Sequence, residues 1–407
     1  MLQSFNSGCY SKSIHLSTAF HYHMKKFLKI AGIVLAIVAI LFFALAPGII
    51  DRSKNKVSIK GPFAKNSWYD SIPFIADLHC DALLWDRNLQ QESDHGHVDI
   101  PRMQQANMAL QVFTVVSKVP AGINIEQNDA SSDQIGLLSF AQLRSPSWWF
   151  GVKERALGQC QNLHDFAAAS NGVFRVITNQ TQLQQYLQDR AANRQLTAGM
   201  LGLEGAHCLE NDLSNLDLFY KAGVRYIGLT HFFDNEWAGS AHGMQKGGLT
   251  PKGRQLLRKM DSLHMIVDLA HASPQTISDV LTEHSGPVLV SHTGVRGVCD
   301  NQRNLSDAQI DAIGRRNGLI GIGLWETAVC GKDAVATAKS IRYVADRIGV
   351  DKVALGSDWD GAFEMHFAVT GTPLIVTALQ QQGFSRPEIE QIMGGNIRVF
   401  MLRNLPK

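Results

Sequence analysis

The stretch FIADLHCD, residues 74–81, begins as an apolar run and ends in a histidine and an aspartate. In an extended chain, residues two positions apart point to the same side, so His79 and Asp81 would project together, away from Cys80. An imidazole and a carboxylate at this spacing suit a divalent metal ion. The alternative is a buried histidine followed by an aspartate that caps the next helix.

Seven further runs of this kind follow, each short, mostly apolar and separated from the next by a helix-like stretch: residues 109–116, 199–207, 224–231, 265–271, 287–292, 319–324 and 353–360. They are near-continuously apolar, as expected for parallel strands buried on both faces. Several intervening stretches end in glycine, as helices commonly do. The alternation predicts an α/β fold, a (β/α)8 TIM-type barrel, with extra helices inserted between strands 2 and 3 over residues 117–198.

The composition agrees with one large unit. The chain has 407 residues, is 45% hydrophobic and carries a formal net charge of +2. This length allows one large barrel or two ordinary domains, and no repeat or linker divides the chain after about residue 70. We therefore predict a single barrel over residues 74–407, and the near-neutral charge gives no indication of a nucleic-acid partner.

The N-terminal region has a different pattern. Residues 30–50 form an uncharged run of 21 residues, and lysines precede it at positions 25, 26 and 29. About 20 apolar residues span a bilayer, and lysines before the run favour a cytoplasmic N-terminus. We predict a transmembrane helix over residues 30–50, a cytoplasmic segment over 1–29 and a linker over 51–73.

Two alternatives remain for this region. The sequence ALA at residues 44–46 resembles a signal-peptidase site, although Pro47 directly after it disfavours cleavage. Met24 is a second candidate start, which would leave residues 1–23 untranslated.

Polar residues stand at the carboxyl ends of the predicted strands: His79, Asp81, Glu204, His231, His271, His292 and Asp358. In barrels of this type that end builds the active site. Each residue alone has another explanation, since His231 could bond a carbonyl and Glu204 or Asp358 could cap a helix. Seven such residues at one barrel mouth together predict a metal site.

The number of ligands indicates the kind of site. Three histidines, an aspartate and a glutamate outnumber the ligands of one tetrahedral zinc ion. Two ions about 3.5–4 Å apart that share Glu204 account for them better. A hydroxide bridging the two ions could then attack a carbonyl, with Asp358 carrying a proton to the departing amine. These residues predict metal-dependent hydrolysis of an amide.

Beyond these residues, the chain resembles the membrane dipeptidase (renal dipeptidase) family, a zinc-dependent branch of the amidohydrolase-like barrels. The matching stretches cover about residues 74–400 in unbroken order: ADLHCD, HVDIPRM, GLEGAH, GVRYIGLTH, GGLTPKGRQLLRKM, VDLAHAS, VLVSHTGVRGVCDNQRNLSD, GSDWDG and GGNIRVF. The resemblance implies a zinc-dependent dipeptidase that cleaves the peptide bond of dipeptides and tolerates D-residues at the carboxyl side.

The resemblance also assigns metal ligands. It implies that His79 and Asp81 bind one zinc ion, that His271 and His292 bind the other, and that Glu204 bridges them.

The resemblance also implies which residues contact the substrate. His231 is similar to the histidine that contacts the substrate carbonyl and stabilises the tetrahedral intermediate. Arg303 is similar to the arginine that grips the substrate carboxylate, a task that suits a fork of guanidinium donors. Without the surrounding motif, Arg303 would be interpreted as part of a surface ion pair. Asp358 matches the acid/base and amine-contacting residue, and a disulfide is implied between Cys299 and Cys330.

Some loops depart from the mammalian members. Residues 232–247 are similar to the bacterial type, and LWETAVCG, residues 324–331, lacks the mammalian tyrosine-bearing stretch. The resemblance therefore implies a bacterial homodimer at the inner membrane with its catalytic domain in the periplasm, or one released there after signal cleavage. The alternatives are another amide hydrolase of this barrel superfamily, such as an N-acyl-amino-acid deacylase or a β-lactam-opening enzyme. A non-catalytic barrel is disfavoured because no site residue is missing.

Overall fold

The structure is a computed structural model that describes residues 9–407, with side chains described from Phe20 onward. Residues 1–8 of the predicted N-terminal segment lie outside the described residues. The described part comprises a long N-terminal helix and an α/β barrel.

Nine parallel-paired strands form the sheet: β1 (Ile75–Cys80), β2 (Met108–Val116), β3 (Phe174–Val176), β4 (Thr197–Glu204), β5 (Val224–Gly228), β6 (Ile266–Asp268), β7 (Val288–Thr293), β8 (Leu319–Ile322) and β9 (Val353–Leu355). Eight of them follow one another in the order β1-β2-β4-β5-β6-β7-β8-β9. A parallel bridge between Cys80 and Trp359 joins the last strand to the first, so the barrel is nearly closed. This confirms the eight-stranded barrel.

Strand β3, which was not predicted from the sequence, pairs with the start of β4 between Phe174 and Thr197. Its three residues lie within 117–198, the segment for which the sequence predicts extra helices. A three-residue strand is too short to give a periodic pattern that could be told from a turn.

The helices, in chain order, are α1 (Cys9–Lys54), α2 (Ser67–Ser71), α3 (Ile100–Gln105), α4 (Gln134–Ala141), α5 (Pro146–Phe150), α6 (Val152–Ala169), α7 (Gln180–Ala192), α8 (Asn215–Lys221), α9 (Pro251–Ser262), α10 (Pro274–Glu283), α11 (Asp307–Arg315), α12 (Glu326–Val329), α13 (Ala334–Ile348), α14 (Thr372–Gln381), α15 (Arg386–Glu390) and α16 (Asn396–Asn404). The insertion between β2 and β4 contains α4 to α7, as expected for extra helices.

Local sequence explains where several helices begin. Thr250 caps α9 by accepting a hydrogen bond from the backbone N–H of Gly253, and a proline follows in the first turn. Ser306 and Gln309 form a reciprocal capping box at the start of α11. Such caps satisfy backbone N–H groups that the helix itself leaves free. They fix the points at which the loops above the barrel turn into helices.

Apolar side chains fill the end of the barrel where the strands begin. Phe74, Leu78, Tyr226 and Phe400 belong to this buried cluster, and the hydroxyl of Tyr226 donates to the carbonyl of Leu78 over 2.7 Å. This packing closes the amino-terminal end of the barrel. The carboxyl ends of the strands are therefore the end at which polar groups can face a cavity.

The N-terminal helix α1 projects from the barrel. Among the described residues, one helix, over Phe20–Lys54, is long and apolar enough to cross a membrane, and its most apolar stretch is not buried. It extends four residues past the predicted span, to Lys54. Asp51 in this last turn is buried against the barrel, where Arg87 Nε lies 2.9 Å from its carboxylate.

Candidate metal centre

All seven predicted strand-end residues meet at the carboxyl end of the barrel. They form three overlapping groups of buried side chains whose ligand atoms lie within 4.8 Å of one another: His79 with Glu204 and His292, Glu204 with His231 and His271, and His79 with Asp81 and Asp358. The parallel strands place these side chains together although 279 positions of sequence separate His79 from Asp358. The predicted convergence in space is therefore present.

Glu204, the last residue of β4, lies at the middle of the cluster. Its Oε1 atom is 3.1 Å from His271 Nε2, 3.4 Å from His79 Nε2 and 3.5 Å from His292 Nε2. Its Oε2 atom is 3.4 Å from His231 Nε2. One carboxylate thus contacts members of both predicted ligand pairs, which is the position required of a bridging ligand.

The alternative explanations for Asp81, as a helix cap, and for His231, as a histidine bonded to a carbonyl, do not fit their contacts. Asp81 stands before a short turn of 3-10 helix, yet its side chain makes no capping hydrogen bond. Its Oδ1 atom instead lies 3.4 Å from His79 Nε2 and accepts a hydrogen bond from Thr114. The Nδ1 atom of His231 has no hydrogen-bond partner among the described residues, so no carbonyl there explains its burial.

Several buried polar atoms in the cluster have no hydrogen-bond partner in the described part of the chain: His79 Nε2, Glu204 Oε2, His231 Nδ1 and His271 Nδ1. In addition, the Nε2 atoms of His271 and His292 face each other at 2.9 Å. Buried polar groups are nearly always satisfied, and burying them without partners is costly. Nitrogen and oxygen atoms that converge in this way fit divalent cations, and this donor set suits zinc.

A serine orients two of the imidazoles. Ser291 Oγ lies 3.0 Å from His79 Nδ1 and 2.9 Å from His292 Nδ1. The Nε2 atoms of both rings are thereby turned toward Glu204. Metal-binding histidines commonly engage their second nitrogen in this manner, which fixes the ring and its tautomer.

The ionisable groups of the cluster have shifted pKa values, and the direction of the shift differs from residue to residue. Burial, with the nearby Asp81 carboxylate, raises the pKa of Glu204 to about 7. Burial, with neighbouring cationic groups, holds the pKa of His271 and His292 well below the ordinary value, so these imidazoles are neutral and their lone pairs available. For His79, burial opposes the charged form, but the carboxylates of Glu204 and Asp81 outweigh it and hold its pKa well above the ordinary value.

Two site residues have left-handed backbone conformations. The φ angle is +61° at His271 and +65° at Asp358. Such angles are uncommon outside glycine, and strained positions of this kind concentrate at functional sites. The loop of Asp358 is held by Asp77, which accepts hydrogen bonds from both the backbone N–H and the hydroxyl of Ser357.

Arg303 is buried beside the metal-ligand candidates. Its Nη2 atom donates to the carbonyl of His292 over 2.9 Å and lies 3.4 Å from His271 Nε2. It forms no ion pair with any described residue, so the surface-ion-pair interpretation does not hold. The predicted disulfide between Cys299 and Cys330 is present, with a Cα–Cα distance of 5.2 Å, and ties down the loop that carries this arginine.

Asp360, two residues after Asp358, has a different environment. Its carboxylate lies 2.6 Å from Arg87 Nη2 and accepts hydrogen bonds from the backbone N–H groups of His97 and Val98. It therefore faces away from the cluster. Of the two aspartates in GSDWDG, only Asp358 lines the cavity above it.

That cavity has a volume of about 640 Å³, which is ample for a small peptide. Part of its lining was not predicted from the sequence: His242, Phe232 and Trp325, and Phe42 and Ile50 of α1. The ring of His242 lies 5.2 Å from that of His271, and its Nδ1 contacts the carbonyl of Ile125 at 2.8 Å. His242 lies in the loop 232–247, which no strand-end pattern marks. The only feature of the sequence that could have indicated a role for His242 is that this residue is a histidine.

Comparison with known proteins finds several that are similar to this chain. A family model described as Membrane dipeptidase (Peptidase family M19) matches residues 70–403. Dipeptidase tcpJ of Claviceps purpurea is 28% identical over 366 residues, which cover 86% of this chain and 80% of that protein. Dipeptidase 3 of Mus musculus is 29% identical over 226 residues, covering 52% of this chain and 46% of that one.

Solved structures share the fold. A metallo peptidase from Rhodobacter sphaeroides, liganded with a phosphinate mimic of the dipeptide L-Ala-D-Ala, superposes with a TM-score of 0.66 at 22% identity, covering 81% of this chain and 99% of that one. The probable dipeptidase PvdM from Pseudomonas aeruginosa gives a TM-score of 0.65 at 16% identity, covering 83% and 96%.

Proposed function

Because this chain belongs to the membrane dipeptidase family and is a hydrolase of the metallo-dipeptidase type, we propose that it is a zinc-dependent dipeptidase with two metal ions. The observation that carries the proposal is the position of Glu204 between His79 and the pair His271 and His292, with its two oxygens at 3.1–3.5 Å from surrounding imidazoles.

We assign the ligands by position. His79 and Asp81 would hold one ion, His271 and His292 the other, and Glu204 both. When bound, two zinc ions would supply hydroxide at neutral pH and polarise the carbonyl of the scissile bond. The unsatisfied nitrogen and oxygen atoms of the buried cluster support this donor set.

Arg303 and His231 would orient the substrate. The guanidinium of Arg303 lies in the cavity wall without a carboxylate partner among the described residues, which leaves it free to bind the carboxylate of a dipeptide. His231, beside Glu204, would contact the substrate carbonyl. Burial holds the pKa of His231 well below the ordinary value, so it contacts the carbonyl as a neutral donor.

Asp358 would move the proton. Its Oδ1 atom is 3.9 Å from His79 Nε2, and its carboxyl group faces the cavity. Burial and the carboxylates of Asp81 and Glu204 raise the pKa of Asp358 well above the ordinary value, which favours a carboxyl that can hold a proton. A leaving amine needs such a proton, and a positioned carboxyl group can deliver it.

We further propose tolerance for a D-residue at the carboxyl side. The Rhodobacter sphaeroides structure of the same fold binds a mimic of L-Ala-D-Ala, which supports testing that stereochemistry here. A second candidate is an N-acyl-amino-acid deacylase or a β-lactam-opening enzyme. The apolar wall formed by Leu84, Val119, Ile135 and Leu138 favours it, because an acyl chain could pack there.

Two measurements test these proposals. Metal analysis of active protein should give two zinc ions per chain, and one ion or none would count against the pair. Hydrolysis of Gly-D-Ala and Gly-L-Ala should exceed that of N-acetyl-alanine. If only the acetylated amino acid is cleaved, the deacylase replaces the dipeptidase.

For location, we propose a bacterial inner-membrane protein whose α1 is retained and whose barrel lies in the periplasm, assembled as a homodimer. The contacts of Ile50 and Asp51 with the barrel support retention, since α1 helps to form the cavity wall. Intact-mass analysis of the membrane fraction tests it, because cleavage after residue 46 would remove most of the helix.

A further inference from the structure

Exposed apolar side chains occur on α4, on α5 and in the turn between them. Leu137 is 73% exposed, Phe140 41%, Leu143 64% and Phe150 87%. We call these four residues the α4–α5 apolar surface. Residues 134–151 contain one charged side chain, Arg144, whose Nη2 lies 2.8 Å from the Asp86 carboxylate. A contiguous apolar surface on a water-soluble domain marks a contact with another molecule or with a membrane.

This surface lies beside α1. The ring of Phe140 contacts that of Phe43 with centroids 5.3 Å apart. Phe43 lies eight residues before Asp51, the first charged residue after the apolar run. At 1.5 Å per residue, the contact is about 12 Å along the helix axis from the charged end. If residues 30–50 cross the bilayer, α4 reaches the depth of its outer leaflet.

The angle between α1 and the barrel is fixed by charged contacts. Asp51 pairs with Arg87 at 2.9 Å, and Arg87 also pairs with Asp360 at 2.6 Å, all three side chains being buried. Arg52 pairs with Asp94 at 2.8 Å on the barrel surface. Helix α1 therefore cannot turn freely relative to α4. These charges also mark the level at which the chain leaves the apolar phase.

We propose that the α4–α5 apolar surface inserts into the outer leaflet of the lipid bilayer around α1, so that the barrel lies on the membrane with its active-site mouth at the lipid boundary. The inference rests on the retention of α1 put forward under the proposed function. It adds a second membrane contact, made by the catalytic domain itself.

A lipid surface fits better than a second copy of the chain. The α4–α5 apolar surface is continuous with α1, whose residues 32–42 are exposed on all sides and need an apolar phase. Trp148 and Trp149 are half-buried next to it, and tryptophan is enriched where proteins cross the boundary of a bilayer. A protein partner would have to cover both this surface and a helix that already lies in lipid.

The cavity extends to the same place. Phe42 and Ile50 of α1 and Leu137 and Leu138 of α4 line it together with Glu204. Substrates would therefore enter along the membrane surface. Dipeptides with an apolar side chain, which concentrate at that surface, would reach the site preferentially.

The test measures the depth of single labelled positions. The full chain, with Cys9→Ser and either Phe150→Cys or Leu143→Cys, is labelled with an environment-sensitive fluorophore and reconstituted in phosphatidylcholine vesicles. Cys80, Cys160 and Cys208 are buried and should not react. The matched control is Val399→Cys on α16, a half-exposed apolar position. Asn396 of α16 bonds the carbonyl of Val353 at the start of β9, so this helix lies at the opposite end of the barrel.

Lipids brominated on the acyl chain should quench the labels at 150 and 143 several-fold more than the label at 399. Quenching at both positions equal to that at 399 would overturn the proposal. So would labels that are shielded from aqueous iodide yet unquenched by lipid, because that result indicates a protein contact. Dipeptide hydrolysis by the same vesicles is measured separately, so a failure of the proposed function is distinguishable from a failure of membrane contact.

Discussion

Replacement of Asp358 by asparagine separates catalysis from structure. The change keeps the size of the side chain, and asparagine tolerates the left-handed φ of +65° at this position. Within the described residues the Asp358 carboxylate accepts no hydrogen bond, and its nearest charged partner is His79 Nε2 at 3.9 Å. The substitution therefore removes one proton carrier and little stabilising contact.

The expected loss follows from that role. A positioned general acid contributes about 10²–10⁴ in rate, which corresponds to about 2.7–5.4 kcal/mol of transition-state stabilisation. We expect kcat of the Asp358→Asn variant for Gly-D-Ala to fall by that factor. Bound zinc should remain at two ions per chain, and the midpoint of denaturant unfolding should change little.

Asp360→Asn is the matched control, since it makes the same change two residues away. Asp360 pairs with Arg87 at 2.6 Å and both side chains are buried. Removing one partner of a buried pair costs about 3–5 kcal/mol of unfolding free energy. This variant should lose stability, and the kcat of its folded fraction should fall far less than that of Asp358→Asn. The reasoning is refuted if Asp358→Asn retains full kcat, or if it loses zinc.

Four further outcomes are expected. Glu204→Gln should bind fewer than two zinc ions per chain by metal analysis, because one amide oxygen replaces two carboxylate oxygens; retention of both ions would count against the bridge. Arg303→Lys should raise KM for dipeptides about 10-fold or more while kcat changes less, since it loses a charge-assisted bond of about 1.5–3 kcal/mol. Burial and nearby cationic groups lower the pKa of His207 to about 3, so the unfolded chain binds an extra proton between that value and an ordinary pKa of about 6.5. The free energy of unfolding should then fall as pH drops below about 6.5, and His207→Gln should flatten this slope in denaturant titrations; an unchanged slope would contradict the assignment. The disulfide of Cys299 and Cys330 removes two of the six cysteines from titration, so denatured, unreduced full-length chain should titrate at most four thiols and not six.

The barrel could be predicted from sequence because its signals are local. Each strand is a short apolar run with a polar residue at its carboxyl end, and the parallel arrangement brings those ends together. Glu204 and His292 could therefore be placed in one cluster without any contact information. The fold does not test whether these residues bind zinc, and their ligand roles remain predictions.

Other features had no local signal. His242 reaches the cavity from an irregular loop, and only the fold of residues 232–247 places its ring beside His271. Position in the motif GSDWDG favours Asp358 over Asp360, but the motif does not give the physical environments of the two aspartates. Their difference depends on Arg87, a residue 271 positions earlier than Asp358, which engages one and leaves the other at the cavity. Such a contact between residues far apart in the chain cannot be predicted from local stretches of sequence.

Arg87 also connects two parts of the molecule that the sequence presents as unrelated. It contacts Asp51 at the end of α1 and Asp360 in the loop that carries Asp358. Breaking either ion pair would leave a buried carboxylate without its partner, which costs free energy. Both contacts are therefore maintained together. Movement of α1 relative to the barrel would therefore disturb the loop that positions the proton carrier. Helix α1 and the loop of Asp358 are therefore linked through the Arg87 side chain, and removal of residues 1–54, which takes Asp51 with it, is expected to lower the free energy of unfolding of the barrel.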